Sequence, residues 1–250
     1  AADQSRPYTW AMNLSLTDPA VAATAALLDV QGMNYAIGER AEKCHSANPT
    51  FKLFLTEAGC TTRSRGVYHW PTSKQFDKTP DNQGSEFDNQ YSWSQPMEKA
   101  WISTKNQPFR AGLFLWSGFD YIGEPSPYEW PNRSSIYGVF DLCGFPKDIY
   151  WGFRSQWRPE PLVHILPHWN WTEGTNVPVW TFSNCDSVEL FLNGVSLGAK
   201  NVDKDKQMPV EWTDVKWVPG TLTAVGKVGG VEVASDTVKT ADAPAKIQCS

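Results

Sequence analysis

The 250-residue chain lacks several features on which common classes of protein depend. Its apolar runs are far shorter than the roughly 20 residues needed to cross a bilayer, and no basic-then-apolar leader opens it. Its 22 Lys and Arg residues are outnumbered by 27 Asp and Glu residues and form no cluster. A positive surface that could bind nucleic acid or anionic membranes is therefore not expected. We predict a soluble chain with neither kind of partner.

Cysteine motifs are also missing. The five cysteines are odd in number and widely spaced, with no Cys-x-x-Cys pair for zinc or redox chemistry: Cys44, Cys60, Cys143, Cys185 and Cys249. His164 and His168 flank Pro167 without a third ligand at metal spacing, so we expect them to have a packing role. No metal or cofactor is predicted. The cysteines leave the compartment unknown, with a periplasmic or secreted location slightly favoured over a cytoplasmic one.

Residues 1–158 alternate short apolar runs with helical stretches, which is the pattern of a parallel sheet covered by helices. Strands are predicted at Pro7–Ala11, Val30–Tyr35, Phe51–Glu57 and Leu113–Trp116. Asp18 suits the N-cap of a helix between the first two strands. A second helix should begin near Gln95 and end before Pro108. The fold class of this part is therefore α/β.

The pattern changes after the Pro-rich stretch at residues 159–161, and residues 159–250 follow a period-two alternation. Three dipeptides mark turns between strands: Asn193-Gly194, which is a strong hairpin signal, Pro219-Gly220 and Gly229-Gly230. About seven short strands without a helical period predict an immunoglobulin-like β-sandwich. The chain thus divides into two domains, 1–158 and 159–250. Tryptophan is abundant, with thirteen residues, and its flat ring suits both sugar rings and large cores.

Two predicted strands deliver acidic groups at their ends. The run Phe51 to Thr56 leads into Glu57, and the run that ends at Trp116 is soon followed by Asp120. Parallel strands that end at one edge of a sheet bring such groups together, as in barrel-type carbohydrate enzymes. The long polar segment from Cys60 to Ser94 follows Glu57, and we expect it to build a wall of the site or a lid.

The segment at residues 112–128, GLFLWSGFDYIGEPSPY, closely resembles the eighth-strand segment of glycoside hydrolase family 2 β-galactosidases. The resemblance continues through residues 130–131, 144–148, 166–171 and 188–194, and it covers nearly the whole chain. It implies that residues 1–158 are the second half of a (β/α)8 TIM barrel, strands five to eight. It also implies that residues 159–250 are the immunoglobulin-like domain that follows this barrel.

The resemblance also implies the site residues. Glu57 takes the place of the family's nucleophile at the end of strand seven, although this chain reads Thr-Glu-Ala-Gly-Cys where relatives usually read Ser-Glu-Thr-Ala-Ser. Asn34 and Tyr35 fall on strand six beside the nucleophile. Trp116 takes the place of the tryptophan that forms a platform for the galactose ring. Asp120 lies close enough in the same motif to bind a sugar hydroxyl.

The general acid/base of the family has no counterpart in the chain. Retaining glycosidases need a second carboxylate about 5 Å from the nucleophile. In this family it follows an Asn on strand four, and no Asn-Glu dipeptide occurs in the 250 residues. Glu124, between Gly123 and Pro125, is more typical of a loop anchor than of this acid. The resemblance therefore implies a retaining β-galactosidase that acts on galactosides, with the amino-terminal half of the same enzyme as the missing partner.

Other functions stay open. β-Glucuronidases and β-mannosidases share the barrel and its nucleophile, and a basic group such as Arg63 or Arg65 could bind a uronate carboxylate. Alternatively, the chain is a noncatalytic carbohydrate-binding fragment whose sandwich tryptophans hold a polysaccharide. The sequence does not determine the linkage specificity, and it leaves a homo-oligomer possible.

Overall fold

The computed structural model describes residues 3, 5–72, 82–87 and 94–244. Cys249 and parts of the predicted wall or lid segment from Cys60 to Ser94 lie outside these ranges. The chain forms two compact units, the first comprising residues 1–150 with 205–207 and the second residues 151–204 with 208–250. No helix in the described ranges combines the length and the apolar character that crossing a bilayer requires.

A three-stranded parallel sheet forms the centre of the first unit. Its strands alternate with helices in the order α1 (Pro19–Ala25), β1 (Gln31–Asn34), α2 (Glu39–Ala47), β2 (Leu53–Ala58), α3 (Met97–Lys105) and β3 (Arg110–Leu115). The strands lie in the order β1-β2-β3, and both neighbouring pairs are parallel. Three of the four predicted strands are therefore present, together with the helices that connect them.

Local sequence explains where the first helix begins. The Asp18 carboxylate accepts hydrogen bonds from the backbone N–H groups of Ala20 (2.8 Å) and Val21 (3.2 Å), and so caps α1 as predicted. The predicted second helix is confirmed as α3. The sequence pattern does not predict α2, which starts after Gly38 without a side-chain cap.

The prediction of a first strand at Pro7–Ala11 is wrong. The Tyr8 N–H donates to the Asp29 carboxylate (2.8 Å), and the Tyr8 carbonyl accepts from the Asp29 N–H (3.1 Å). These bonds occupy the groups that a strand ladder would use. Among the described residues, the sheet continues beyond β1 through one isolated parallel bridge between Met12 and Met33.

The first unit packs around a small apolar core. Its buried members are Leu16, Ala25, Met33, Ala36, Cys44, Leu53, Leu55, Ala58 and Ala100. β3 is the least covered strand of this unit, and its Phe114 is 66% exposed. In the described part of the chain, β3 pairs with β2 alone, so its other edge presents unpaired backbone groups.

The second unit contains seven strands in two antiparallel sheets. The strands are β4 (Val163–Leu166), β5 (Asn176–Ser183), β6 (Ser187–Leu192), β7 (Val195–Asn201), β8 (Pro209–Lys216), β9 (Thr221–Val228) and β10 (Val231–Lys239). One sheet has the order β4-β5-β8, and the other has the order β10-β9-β6-β7. Helix α4 (Asp148–Trp157) precedes them and contains the point where the chain passes from the first unit to the second.

Two of the three predicted turns are hairpins. Asn193-Gly194 joins β6 to β7 with φ values of 52° and 81°, and Gly229-Gly230 joins β9 to β10 with values of 56° and 82°. Positive φ at both central residues is typical of the type I′ turn, whose twist matches the flanking strands. Pro219-Gly220 lies between β8 and β9 as predicted, but these strands belong to different sheets, so this turn is not a hairpin.

Buried tryptophans fill the core of the second unit. Trp169 is fully buried, and its Nε1 donates to the Val218 carbonyl (3.1 Å). Its own carbonyl accepts from Trp217 Nε1 (3.2 Å) and Thr240 Oγ1 (2.9 Å). Trp212 is also buried. Rings that are covered in this way contribute to core packing and offer no open face to a polysaccharide.

Candidate functional site

Three of the predicted site residues meet where β1 and β2 end. Glu57 is half-buried near the end of β2, and each of its carboxylate oxygens accepts one side-chain hydrogen bond. Asn34 Nδ2 donates to Oε1 at 2.8 Å, and the Tyr35 hydroxyl donates to Oε2 at 2.7 Å. The two parallel strands thus bring Glu57, Asn34 and Tyr35 together and fix the orientation of the carboxylate.

The backbone of Tyr35 is held in an uncommon conformation for this contact. Its φ is 55°, which costs a residue other than glycine on the order of 1 kcal/mol. Its N–H donates to the Glu57 carbonyl at 2.7 Å, and its carbonyl accepts from Gln95 Nε2 at 3.0 Å. Burial and then the hydrogen bond to Glu57 raise the pKa of the Tyr35 hydroxyl. The hydroxyl therefore remains protonated and donates at neutral pH.

Two further side chains support this arrangement, and sequence reasoning missed both. Thr56 Oγ1 donates to Asn34 Oδ1 at 2.6 Å, which turns the amide nitrogen of Asn34 toward the carboxylate. Gln95 connects the two strand ends, because its Nε2 binds the tyrosine carbonyl and its Oε1 accepts from the Gly59 N–H at 3.2 Å. The position of Thr56 next to Glu57 was a usable signal. No local pattern marks Gln95, which is distant in sequence.

Trp116 follows β3 and lies beside the same strand ends. Its N–H donates to the carbonyl of Ala58, the residue after Glu57, at 2.9 Å. Its half-buried ring meets the ring of Tyr121 edge to face, with the centroids 6.0 Å apart. The peptide bond between Trp116 and Ser117 is cis. The role of the Trp116 ring as a platform for a sugar stays a prediction.

Asp120 belongs to a different set of contacts. Its Oδ1 accepts from Lys147 Nζ (2.8 Å) and from the Gly138 N–H (2.8 Å). Lys147 is 1% exposed and also donates to the Arg63 carbonyl (2.5 Å). Burial raises the pKa of Asp120 and lowers that of Lys147, while the ion pair opposes both shifts. The structure therefore does not place Asp120 in contact with Glu57.

The two arginines considered for a uronate carboxylate already have acidic partners. Arg63 is 1% exposed, and its guanidinium donates to Glu98 Oε1 and to the Glu86 carbonyl, both at 2.6 Å. Arg65 Nε donates to the Asp141 carboxylate at 2.6 Å. Across the described ranges, no group of three His, Cys, Asp or Glu side chains is arranged to hold a metal ion.

The two histidines near Pro167 pack against tryptophans. The ring of His164 stacks on Trp151 with centroids 5.1 Å apart, and that of His168 stacks on Trp171 at 4.5 Å. These contacts agree with the packing role expected from the sequence.

Comparison with known proteins relates both units to one family. A family model described as a domain of unknown function, DUF4982, matches residues 174–234. β-Galactosidase BoGH2A of Bacteroides ovatus is 37% identical over 235 residues, which cover 90% of this chain and 27% of that protein. The chain is homologous to the carboxyl-terminal part of glycoside hydrolase family 2 enzymes.

A solved glycosidase structure also aligns with most of the chain. The crystal structure of a β-glycosidase from Bacteroides vulgatus aligns with 94% of this chain and 36% of that chain, at 30% identity and a TM-score of 0.77. A β-glucuronidase of Formosa agariphila is 32% identical over 111 residues, which are 44% of this chain and 11% of that protein. This chain therefore spans little more than a third, or less, of each of these relatives.

Proposed function

We propose that this chain is the carboxyl-terminal part of a retaining β-galactosidase in which Glu57 is the nucleophile. The observation that carries the proposal is the pair of hydrogen bonds from Asn34 (2.8 Å) and Tyr35 (2.7 Å) to the two oxygens of Glu57. Neutral donors on both oxygens orient an ionised carboxylate for attack without adding a competing charge. The homology to family 2 enzymes is consistent with this role.

The proposed reaction is a double displacement on a terminal β-D-galactosyl residue. Glu57 forms a bond to the anomeric carbon as the bond from that carbon to the leaving-group oxygen breaks, and a second carboxyl group protonates that oxygen. The same second group then removes a proton from water, the water oxygen bonds to the anomeric carbon, and Glu57 is released. Trp116 packs against the apolar face of the galactose ring. Asp120, whose carboxylate binds Lys147, supports the loop after β3.

The second carboxyl group is proposed to come from a preceding part of a longer polypeptide. Retaining enzymes hold it about 5 Å from the nucleophile. The family resemblance places it after an Asn on an earlier strand, and the 250 residues contain no Asn-Glu dipeptide. The relatives support a longer protein, because BoGH2A matches this chain over 27% of its own length.

We also propose how the two units fit the architecture of the longer protein. We assign β1, β2 and β3 to strands six to eight of a (β/α)8 barrel, and the bridge at Met12 to the end of strand five. The open edge of β3 supports this assignment, because a barrel closes such an edge with its first strand. We assign the seven-stranded unit to an immunoglobulin-like sandwich, which its two antiparallel sheets of three and four strands support.

Galactoside is proposed as the substrate over glucuronide. A uronate carboxylate needs a cation that is not already neutralised, and Arg63 and Arg65 are bound to Glu98 and Asp141 respectively. The relatives do not separate the two substrates, because β-galactosidase BoGH2A and a putative β-glucuronidase of Formosa agariphila match 90% and 89% of this chain. Glucuronide hydrolysis is the second candidate, because relatives of both names align with the chain.

The proposal is tested with the full-length gene product and with the 250-residue chain. The full-length protein should hydrolyse 4-nitrophenyl β-galactoside, whereas the 250-residue chain should not. A 2-deoxy-2-fluoro galactosyl substrate should leave a covalent sugar on the peptide that contains Glu57, detected by mass spectrometry. Glu57→Gln should abolish both turnover and labelling, and Glu39→Gln, an exposed position on α2, should preserve both.

Three results would contradict the proposal. Rapid turnover by the 250-residue chain would remove the need for a second carboxylate from outside it. Labelling of a different peptide would assign the nucleophile to another residue. A Glu57→Gln variant with unchanged activity would exclude Glu57 from the chemistry altogether.

A further inference from the structure

A second carboxylate, Glu124, stands in the loop that follows β3. The loop is anchored to a neighbouring segment, because the Gly123 N–H donates to the Arg133 carbonyl (2.7 Å) and the Ser135 N–H donates to the Tyr121 carbonyl (2.8 Å). Glu124 has a φ of 45°, a left-handed conformation that is uncommon for a residue with a side chain. Its side chain is exposed. The backbone therefore holds a carboxylate outward at the end of a fixed loop.

One contact chain connects Glu124 to the proposed sugar platform. The Tyr121 hydroxyl donates to the Glu124 carboxylate, and the Tyr121 ring meets the ring of Trp116 edge to face at 6.0 Å. A carboxylate offers about four acceptor positions. The Tyr121 hydroxyl is its one hydrogen-bond partner among the described residues, so most of its acceptor positions stay open to a ligand. A loop anchor would instead use these positions on the backbone of the loop.

The charge of Glu124 acts on the same side chains as the charge of Glu57. The pKa of the Cys60 thiol is raised to about 12, first by burial and then by the negative charges of Glu124 and Glu57. The pKa of the Tyr35 hydroxyl is raised by burial and by Glu57, and the charge of Glu124 adds to this effect. The charges of both carboxylates therefore act on Cys60 and Tyr35, which lie just beyond the ends of β2 and β1.

We propose that Glu124 is a specificity-determining residue that accepts hydrogen bonds from the hydroxyl groups of a neutral hexose seated on Trp116. A sugar hydroxyl is a donor that a carboxylate binds strongly. The carboxylate of a uronic acid would instead meet a like charge, and that repulsion selects against it. Glu124 thus favours galactosides over glucuronides. The inference rests on the proposed function, because it assumes that Glu57 attacks a sugar held against Trp116.

The test uses the full-length gene product as wild type and as the variants Glu124→Gln, Tyr121→Phe and Glu129→Gln. Glu129→Gln is the matched control, since it removes one exposed charge from the same loop. Each protein is assayed for kcat/KM on 4-nitrophenyl β-galactoside, its 4-deoxy and 6-deoxy derivatives, and 4-nitrophenyl β-glucuronide. Thermal unfolding verifies that each variant is folded.

Glu124→Gln should lower kcat/KM for the galactoside by about 10- to 100-fold, the usual effect of losing hydrogen bonds to a charged group. The glucuronide should lose nothing or gain, so the ratio of the two substrates falls at least about tenfold. For at least one deoxy derivative, the loss of kcat/KM relative to the parent galactoside should be smaller in Glu124→Gln than in the wild type. Tyr121→Phe retains the charge and should change the ratio less, and Glu129→Gln should not change it.

Other results separate the failure of this inference from the failure of the proposed function. Equal losses on both substrates in Glu124→Gln, or a wild type that prefers the glucuronide, would overturn the specificity role while hydrolysis by Glu57 stands. A wild type without turnover on any glycoside would contradict the proposed function. In that case, tryptophan fluorescence titration decides the inference: galactose should bind the wild type more tightly than Glu124→Gln, and equal binding would overturn it.

Discussion

The two units of the chain bury different kinds of residue. The second unit closes over an apolar core that includes Trp169, and the polar atoms of that residue form hydrogen bonds with residues just beyond the ends of β8 and β10. The first unit has a smaller apolar core, yet it buries the charged side chains of Arg63 and Lys147 almost completely. Charges taken out of water stabilise a fold only when they are closely paired, so the first unit depends on a specific set of partners.

Their sheet edges differ in the same way. In the second unit, every residue of the edge strand β7 is exposed, although five of its residues pair with β6. In the first unit, β3 exposes the large apolar ring of Phe114 beside an unpaired edge. Exposed apolar groups at a free edge are typical of a surface that another element covers. From this comparison we expect the sandwich to be self-contained and the sheet of the first unit to continue beyond β3.

Removing the ring of Trp169 should have the largest effect on stability. Trp169→Ala leaves a cavity in the core of the second unit and deletes the Nε1 bond to Val218, so we expect a loss of about 3 to 5 kcal/mol. Urea unfolding of the 250-residue chain, followed by fluorescence, measures it. The unfolding transition of the first unit should remain in place. A loss below about 1 kcal/mol would show that the sandwich core is not the source of its stability.

Breaking the buried ion pair of the first unit should destabilise the protein nearly as much as removing the ring of Trp169. Glu98→Gln leaves the Arg63 guanidinium buried without its closest acidic partner (2.6 Å), and we expect about 3 kcal/mol of destabilisation. The double variant Arg63→Met with Glu98→Met removes both charges and should be more stable than Glu98→Gln. Denaturant unfolding of the three proteins tests this. If the double variant is the least stable of the three proteins, the Arg63–Glu98 ion pair makes a net favourable contribution to the free energy of unfolding.

Loss of the Tyr35 hydroxyl should affect catalysis and leave stability unchanged. Tyr35→Phe removes the donor to Glu57 Oε2, and kcat of the full-length protein on 4-nitrophenyl β-galactoside should fall about 10²-fold, or about 2.7 kcal/mol. The melting temperature should stay within a few degrees. Loss of stability together with unchanged kcat would assign Tyr35 to packing.

Glu86 should make the stability of the first unit fall as the pH rises. It is fully buried, and burial followed by the nearby Asp148 charge raises its pKa from 4.5 to about 8. Its folded pKa exceeds the unfolded value, so its contribution is complete below pH 4.5 and is lost as the pH rises through 8. Glu86→Gln should raise the melting temperature at pH 9 relative to wild type by a few degrees, corresponding to roughly 1 to 2 kcal/mol. At pH 5 the two proteins should melt together, and a constant difference across this range would exclude the titration of Glu86.

A substitution on the exposed edge of the sandwich should have the smallest effect. Val195 is 68% exposed on β7, and Val195→Thr should change the free energy of unfolding by less than about 0.5 kcal/mol. Equilibrium unfolding in urea provides the measurement. A loss of more than 1 kcal/mol would indicate that this edge is covered in solution and that the sandwich is less self-contained than the first comparison suggests.

Short-range sequence signals predicted much of the fold. Asp18 marks the start of α1, and Asn193-Gly194 marks the hairpin between β6 and β7, because both act within a few residues. The prediction of a strand at Pro7–Ala11 is wrong because the carboxylate of Asp29, which is distant in sequence, accepts the hydrogen bond from the Tyr8 N–H. Pro219-Gly220 marks a turn that is not a hairpin, because a turn dipeptide does not specify which sheet the next strand joins.

The site was predicted in part for a similar reason. The motifs placed Glu57, Asn34 and Tyr35 on neighbouring strands, and the structure brings all three into contact. The role of Asp120 in binding a sugar hydroxyl stays a prediction, and the sequence did not indicate that its carboxylate binds Lys147. Gln95 was not predicted, although its amide connects the ends of β1 and β2. Neither contact was predicted, because each joins residues that only the folded chain brings within hydrogen-bond distance.

The sequence by itself determined the strand periods, the N-cap of α1, two hairpins and the strand that carries Glu57. These follow from backbone preferences and side-chain patterns that operate over a few residues. Only the tertiary structure decided that Tyr35 and Asn34 divide the two oxygens of Glu57, that Asp120 neutralises a buried lysine, and that Glu124 stands beside Tyr121 with open acceptor positions. Those pairings depend on how distant segments pack, because a hydrogen bond forms only when folding brings donor and acceptor to about 3 Å.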